Sequence, residues 1–178
     1  MVNAPMKILL TGPPGCGKTT AVVKIVGRLD ARRTAGFCTE EIRDAGKRVG
    51  FDWRRLDGRT GILAHVDIRG PHRVGKYGVD VDGFDGDVVP VLDPDATRAD
   101  LFVVDEIGKM ECYSGAFIEA VRRLLDSDKC VLATVARKGG GFIREVKEHP
   151  SIRLLSLTTA NRNDVAEQVA ATLAASKK

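Results

Sequence analysis

A glycine-rich segment between two apolar patterns constrains this chain more than any other feature. Residues 8–10 form a short apolar run that predicts a buried strand. Residues 12–19, GPPGCGKT, match the pattern G-x-x-x-x-G-K-[ST] at every fixed position, and apolar residues recur at helical spacing from residue 22 to residue 29. Strand, glycine loop and helix in this order predict a backbone cradle for phosphate groups, because loop amides and a helix N-terminus supply partial positive charge.

The two residues that end this pattern predict what the cradle holds. Lys18 is expected to reach the β- and γ-phosphates of a nucleoside triphosphate, and the Thr19 hydroxyl is expected to hold Mg²⁺. The sequence therefore predicts a protein that binds a nucleoside triphosphate as substrate, with Mg²⁺ as cofactor.

Length and composition place the chain among ordinary globular proteins. Its 178 residues suit one domain, which we expect to span residues 1–178. The chain has no apolar run near the ~20 residues of a membrane helix. Its first residues lack a signal-peptide pattern, so we expect a cytoplasmic protein with no membrane partner.

The charge pattern bears on possible partners. The formal net charge is +4, but the basic residues come in twos and threes with no interleaved aromatic residues. A stacking platform for nucleic acid would require such aromatic residues. A mildly basic surface around a phosphate site explains the same charge, so nucleic acid is a possible but disfavoured partner, and the sequence names no protein partner.

The rest of the chain predicts an α/β fold with a β-rich insert. Over residues 36–92, short β-like runs at 37–43, 49–56 and 62–66, abundant glycine and the absence of helical periodicity predict a β-rich meander with a hairpin. Beyond this insert, apolar strands at 101–104, 130–135 and 152–157 alternate with helical patterns. Such alternation predicts a parallel sheet covered on both faces, with ligands at the carboxyl ends of the strands.

The strand predicted at residues 101–104 leads into two carboxylates, Asp105 and Glu106, as a Walker B element does. The strand is expected to deliver Asp105 beside the phosphate loop, where it can hold Mg²⁺. Glu106 points in a different direction and is expected to polarise the attacking water, which hydrolysis requires to be in line with the leaving oxygen.

Four further polar residues are candidates for sensing the γ-phosphate. In P-loop ATPases with such a glutamate, a strand between the phosphate-loop and Walker B strands often ends in a polar sensor. The run at 130–135 makes Thr134 and Arg137 candidates for this role. Lys109 and Arg162 are other cations that could reach the phosphates, and the sequence does not choose among the four.

Several longer stretches carry a more specific resemblance. They are residues 11–20 (TGPPGCGKTT), 36–42 (GFCTEEI), 49–52 (VGFD), 75–80 (GKYGVD), 104–111 (VDEIGKME) and 161–162 (NR). In this order they resemble the small P-loop nucleoside-triphosphatase family known from hyperthermophiles, which has a human relative called cancer-related nucleoside-triphosphatase. The resemblance covers nearly the whole chain.

This resemblance implies a P-loop NTPase fold of α/β class, a RecA-like three-layer α/β/α sandwich with a mostly parallel sheet and a β-hairpin-rich insert. It also implies Mg²⁺-dependent hydrolysis of ATP, GTP and other triphosphates to diphosphate and phosphate, with loose base preference. The nucleotide-binding stretches map here to Gly12, Pro13, Pro14, Gly15, Cys16, Gly17, Lys18, Thr19 and Thr20, and to Leu101, Phe102, Val103, Val104, Asp105, Glu106, Ile107 and Gly108.

Three other functions fit parts of the sequence. A nucleotide or small-molecule kinase could use the same phosphate loop, with the acceptor held by the insert. A nucleotide-gated binding module would hydrolyse slowly to time the release of a partner. A GTPase switch would use residues 105–108 as D-x-x-G and residues 161–164 as a variant of N-K-x-D, although Asp105 lies 86 residues after Thr19, a long interval for a minimal switch protein.

Overall fold

The computed structural model describes residues 5–29 and 34–176. Its strands are β1 (Lys7–Gly12), β2 (Thr34–Asp44), β3 (Lys47–Arg55), β4 (Thr60–His65), β5 (Arg73–Val74), β6 (Tyr77–Val79), β7 (Leu101–Ile107), β8 (Cys130–Ala136) and β9 (Ile152–Ser156). Its α-helices are α1 (Lys18–Gly27), α2 (Val81–Asp87), α3 (Gly115–Asp126), α4 (Phe142–Glu148) and α5 (Arg162–Ala175). Short 3₁₀ turns lie at Val89–Leu92 and Glu111–Tyr113.

In the described part of the chain the strands form one sheet in the order β5-β6-β4-β3-β2-β7-β8-β1-β9. The five strands β2, β7, β8, β1 and β9 run parallel to one another. The other pairings, from β2 through β3, β4 and β6 to β5, are antiparallel. The hairpin-rich segment therefore extends the parallel sheet at its β2 edge, and the sheet as a whole is mixed.

Both faces of the parallel half are buried because its strands are apolar at consecutive positions. Leu9 of β1 and Phe102 of β7 belong to a core that includes side chains of α2, α3 and α4. Their neighbours Ile8 and Leu10 on β1 and Leu101 on β7 belong to a second core with α1 and α5. Successive residues of a strand point to opposite faces, so the continuous apolar runs produce a three-layer α/β/α arrangement, as expected.

The segment from residue 36 to residue 92 contains the expected hairpin and one helix that the sequence analysis missed. Ala45 and Gly46 both have positive φ, at 44° and 77°, and connect β2 to β3. The β-rich meander predicted for this segment did not include α2, which spans seven residues. Its N-cap Asp80 accepts a hydrogen bond from the Gly83 amide at 3.0 Å, and only Phe84 within the helix is buried. One buried side chain in so short a helix leaves no periodic pattern to detect.

The order of β7, β8, β1 and β9 positions the candidate site. The segments that follow these four strands all lie at the same edge of the parallel sheet, because parallel strands share their direction. They include the phosphate loop after β1, the carboxylates at the end of β7 and the turn between β9 and α5. None of the helices in the described ranges is long and apolar enough to cross a membrane.

Candidate functional site

The loop between β1 and α1 owes its shape to glycines at positions that other residues would not fit. Gly15 and Gly17 have φ of 75° and 95°, in the left-handed region that favours glycine. A Cβ atom at Gly12 would lie 2.5 Å from the carbonyl oxygen of Leu157, at the end of the neighbouring strand. No side chain caps the N-terminus of α1, so its first amides face the loop without a side-chain acceptor.

Asp105 lies wholly buried near the end of β7. The hydroxyl of Thr134, on the neighbouring strand β8, donates a hydrogen bond of 2.5 Å to its Oδ1 atom, while its Oδ2 atom has no hydrogen-bond partner. Burial raises the pKa of Asp105 to about 6, against the opposing effects of the Thr134 and Thr19 hydroxyls, which favour the charged form. A buried carboxylate with one unused oxygen beside Thr19 is suited to hold a cation.

The Glu106 side chain lies in a more exposed environment than that of Asp105. Its Oε2 atom lies 3.4 Å from Nζ of Lys18, and the two side chains are 28% and 12% exposed. The carboxylate is thus open to solvent and lies beside the cation of the phosphate loop. Glu106 and Lys18 thus form an ion pair at the wall of the candidate site.

A cavity of about 890 Å³ opens over the phosphate loop. Its lining comes from the loop and the start of α1, from Glu106, from the segment after β8, from Arg162 at the start of α5, and from the β2–β3 hairpin. The lining residues are Gly12, Pro14, Gly15, Gly17, Lys18, Thr19, Thr20, Thr39, Glu40, Glu41, Arg48, Phe51, Glu106, Ala136, Arg137, Lys138 and Arg162. The carboxyl ends of the parallel strands therefore meet the hairpin at one site.

Not every residue of the two predicted stretches reaches this cavity. In the first stretch, Pro13 and Cys16 do not line it, and Cys16 is buried with its Sγ close to Gly12. In the second stretch, Glu106 alone lines it. Residues 101–104 are wholly buried in the two cores, so they supply the strand that carries Asp105 and Glu106.

The four sensor candidates lie in three different places. Thr134 is buried behind Asp105 and does not line the cavity. Arg137 and Arg162 line it, and no carboxylate among residues 5–29 and 34–176 forms an ion pair with either. Lys109 instead lines a separate cavity of about 460 Å³, together with Tyr113 and Gly139.

The hairpin side of the cavity was not predicted from the sequence. Glu41 of β2 pairs with Arg48 of β3 at 2.8 Å, and the Arg48 guanidinium lies 5.1 Å from the centre of the Phe51 ring. The Arg48 Nε atom also donates a hydrogen bond to the Tyr77 hydroxyl. The family-like stretches at 36–42, 49–52 and 75–80 include three of these residues, and this was the available signal.

A second unpredicted feature is the buried carboxyl group of Glu111. Burial raises its pKa to about 8, and the charges of Glu106 and Asp105 act in the same direction. A Cβ atom at Gly108 would lie 2.9 Å from Glu111 Oε2 and 3.3 Å from Glu106 Oε1, so both carboxyl groups pack against Gly108. A buried carboxyl group with a raised pKa therefore lies beside the candidate site.

Comparison with known proteins agrees with this geometry. The sequence model of the NTPase family matches residues 7–170. Nucleoside-triphosphatase THEP1 of Thermotoga maritima is 40% identical over 168 residues, covering 94% of this chain and 95% of that protein. The human cancer-related nucleoside-triphosphatase is 35% identical over 186 residues, covering 96% of this chain and 98% of its own.

Solved structures show the same fold. The crystal structure of THEP1 from the hyperthermophile Aquifex aeolicus superimposes with a TM-score of 0.85 at 36% identity, covering 94% of this chain and 99% of that one. The solution structure of the human cancer-related nucleoside triphosphatase gives a TM-score of 0.81 at 34% identity, covering 97% and 100%. The resemblance noted in the sequence motifs is thereby confirmed, and the chain belongs to the NTPase family.

Proposed function

We propose that the protein hydrolyses nucleoside triphosphates to diphosphate and phosphate in an Mg²⁺-dependent reaction with loose base preference. The observation that carries this proposal is the pairing of two carboxylates with different environments beside one phosphate loop. Asp105 is buried with an unused oxygen, whereas Glu106 is open to the cavity and contacts Lys18. The relatives' names as nucleoside-triphosphatases support the same reaction.

The residues around Asp105 fit Mg²⁺. This ion usually takes one or two carboxylates or hydroxyls from the protein and completes its shell with water and substrate phosphates. Asp105 and Thr19 would hold it here, and Thr134 would fix the orientation of the Asp105 carboxylate. When bound, Mg²⁺ would neutralise charge that develops on the phosphate oxygens.

The phosphate loop would bind and orient the triphosphate. Backbone amides between Gly12 and Thr20 would surround the phosphates, and Lys18 would contact the β- and γ-phosphates. The phosphates would compete with Glu106 for the Lys18 ammonium group, since the two side chains form a 3.4 Å ion pair at the cavity wall. Binding of substrate would therefore release the Glu106 carboxylate toward the γ-phosphate.

Glu106 would then act on the attacking water. Its carboxylate accepts a proton from water as the oxygen approaches the γ-phosphorus, in line with the leaving β-phosphate oxygen. Arg137 and Lys138, which line the cavity after β8, would add positive charge near the γ-phosphate. In this reaction the bond from the γ-phosphorus to the bridging oxygen breaks, and the bond to the water oxygen forms.

Phosphate release from ATP, GTP, CTP and UTP, with Mg²⁺ and no added acceptor, tests this proposal. We expect release from all four, and we expect it to stop when a chelator removes the metal and to return when Mg²⁺ is restored. Nucleotide binding without phosphate release would contradict hydrolysis as the reaction. Release from one nucleotide alone would contradict the loose base preference.

One observation favours phosphoryl transfer to an acceptor as a second candidate function. The same cavity that contains Lys18 and Glu106 is also lined by Glu41, Arg48 and Phe51 of the hairpin, beside which an acceptor would bind. An alcohol bound there would replace water as the nucleophile. Suppression of phosphate release by an alcohol, with a matching amount of phosphorylated product, would identify this activity.

A further inference from the structure

We propose that Arg162 forms a nucleobase subsite, in which its planar guanidinium group stacks on the base of the bound nucleotide. The inference rests on the proposed function and names the part of the site that holds the nucleoside. It also gives a physical reason for loose base preference.

The order of the strands shows which end of the cavity faces the base. Within the sheet these strands lie in the order β7-β8-β1-β9. The phosphate loop follows β1, Glu106 lies near the end of β7, and Arg162 follows β9. Glu106 and Arg162 therefore flank the loop from opposite sides. Because Lys18 and Glu106 mark the γ-phosphate end, the α-phosphate and the nucleoside extend toward Arg162.

Arg162 lies directly over the last glycine of the loop. A Cβ atom at Gly17 would lie 2.8 Å from Arg162 Nη1 and 3.0 Å from its Cδ, so the Arg162 side chain packs against the backbone of the loop at this glycine. The side chain is half-buried and lines the cavity. Across residues 5–29 and 34–176 no carboxylate forms an ion pair with it, so its planar group is available to a ligand.

In the turn before α5, the side-chain amide of Asn161 is already used in hydrogen bonds within the turn. Asn161 Oδ1 accepts a hydrogen bond from the Thr158 amide at 2.8 Å, and its Nδ2 atom donates to the carbonyl of Ser156 at 3.1 Å. Asn163 Oδ1 accepts a hydrogen bond from Lys24. Asn161 is the first residue of the N-K-x-D pattern, and here it stabilises the turn, while Asp164, the last residue of that pattern, lies exposed in the first turn of α5.

Stacking explains why affinity would not depend strongly on the base. Every nucleobase has a π-face, so an arginine plane can stabilise all four, whereas discrimination requires hydrogen bonds to base edges. Arg162 would thus raise the affinity for nucleoside triphosphates without selecting among them.

Kinetics of two variants and one control test the subsite. For Arg162→Ala we expect KM to rise about tenfold for ATP, GTP, CTP and UTP, with kcat nearly unchanged, because a stacking contact is lost equally from ground and transition states. Arg162→Lys keeps the charge but not the plane, and we expect it to behave like Arg162→Ala. Arg153→Ala removes an exposed arginine of β9, and we expect it to match the wild type.

Tripolyphosphate separates contact with the base from contact with the phosphates, because it carries no base. We expect its inhibition constant, measured as a competitor of ATP hydrolysis, to be the same for wild type and Arg162→Ala. An inhibition constant that rises as much as KM, or recovery of KM in Arg162→Lys, would assign Arg162 to the phosphates and overturn the proposal. An unchanged KM in Arg162→Ala would also overturn it. If the wild type releases no phosphate from any nucleotide, the proposed function itself fails, which is a different result.

Discussion

The Thr134 hydroxyl on β8 donates a 2.5 Å hydrogen bond to Oδ1 of Asp105 on β7, and this leaves Oδ2 of the same buried carboxylate without a partner. A threonine on one strand thereby orients the candidate metal ligand on the next. The contact is possible because β7 and β8 are neighbouring strands in the sheet. Residues separated by 29 positions in the chain thus form one unit of the candidate site.

Thr134→Val should weaken the use of Mg²⁺. Valine has nearly the same shape but donates no hydrogen bond, so Asp105 would lose its orienting partner. Partners of metal ligands typically contribute 10–100-fold to metal affinity, so we expect the Mg²⁺ concentration for half-maximal phosphate release to rise about tenfold. Thr134→Ser retains the hydroxyl and should remain close to the wild type. An unchanged Mg²⁺ requirement in Thr134→Val would contradict the assigned role.

Glu106→Gln should remove most of the hydrolytic rate while leaving nucleotide binding intact. Glutamine keeps the size of the side chain but cannot accept the proton of the attacking water. A positioned general base contributes about 10²–10⁴-fold, so we expect kcat to fall by that factor. Single-turnover phosphate release and the binding of a non-hydrolysable analogue measure the two effects separately. Glu119→Gln, on α3, is the matched control, and a Glu106→Gln variant with half the wild-type rate would contradict the role of Glu106.

Glu111→Gln should change how stability depends on pH. The folded-state pKa of Glu111, about 8, lies above its ordinary value of 4.5. Between these two pH values the native state therefore binds more protons at this group than the unfolded state does. Its contribution to the free energy of unfolding is thus fully present below about pH 4.5 and decreases by about 1.4 kcal/mol per pH unit as the pH rises to about 8.

Glutamine resembles the protonated form of Glu111 at every pH. In the variant, the free energy of unfolding should therefore no longer decrease with pH through this group. We expect Glu111→Gln to become progressively more stable relative to the wild type as the pH rises from about 5 to about 8. Urea unfolding of both proteins across this range measures the difference. Parallel stability curves for the two proteins would show that Glu111 does not titrate in this way.

Two glycine-to-alanine substitutions, one at each end of the loop–helix segment, should have opposite effects. In Gly12→Ala the new Cβ atom would meet the backbone oxygen of Leu157 at 2.5 Å, and we expect a loss of about 1–3 kcal/mol from the free energy of unfolding. Gly27 is the last residue of α1, and a Cβ atom added there would have no neighbouring atom within 4 Å. Gly27→Ala should therefore gain about 0.5–1 kcal/mol. Chemical denaturation measures both, and equal effects would contradict the packing argument.

The order of elements and the identity of the phosphate-loop residues were readable from the sequence because both depend on local patterns. The helix α4, at Phe142–Glu148, for example, follows from local signals, because its apolar residues lie at helical spacing and Pro150 follows it. The helix α2 was missed because it depends on one buried phenylalanine and on the Asp80 cap. The mixed character of the sheet was also not specified, since antiparallel pairing of β2 with β3 is compatible with parallel pairing of β2 with β7.

The roles of the sensor candidates could not be separated by sequence. Thr134, Arg137, Lys109 and Arg162 are all polar residues near predicted strand ends, and only their positions in space distinguish them. Thr134 contacts Asp105, Arg137 and Arg162 line the large cavity from different segments, and Lys109 lines the neighbouring cavity.

By itself the sequence determined the strand–loop–helix unit with its lysine and threonine. It also determined the two carboxylates at the end of a buried strand, and the family. These features were readable because glycine conformations and apolar periodicity act over a few residues. The tertiary structure alone decided which oxygen of Asp105 lacks a hydrogen-bond partner and that Glu106 contacts Lys18. It also decided that the β2–β3 hairpin lines the same cavity and that the Arg162 side chain packs against Gly17. These relationships join residues far apart in the chain. They depend on strand order and packing density, which no local pattern encodes.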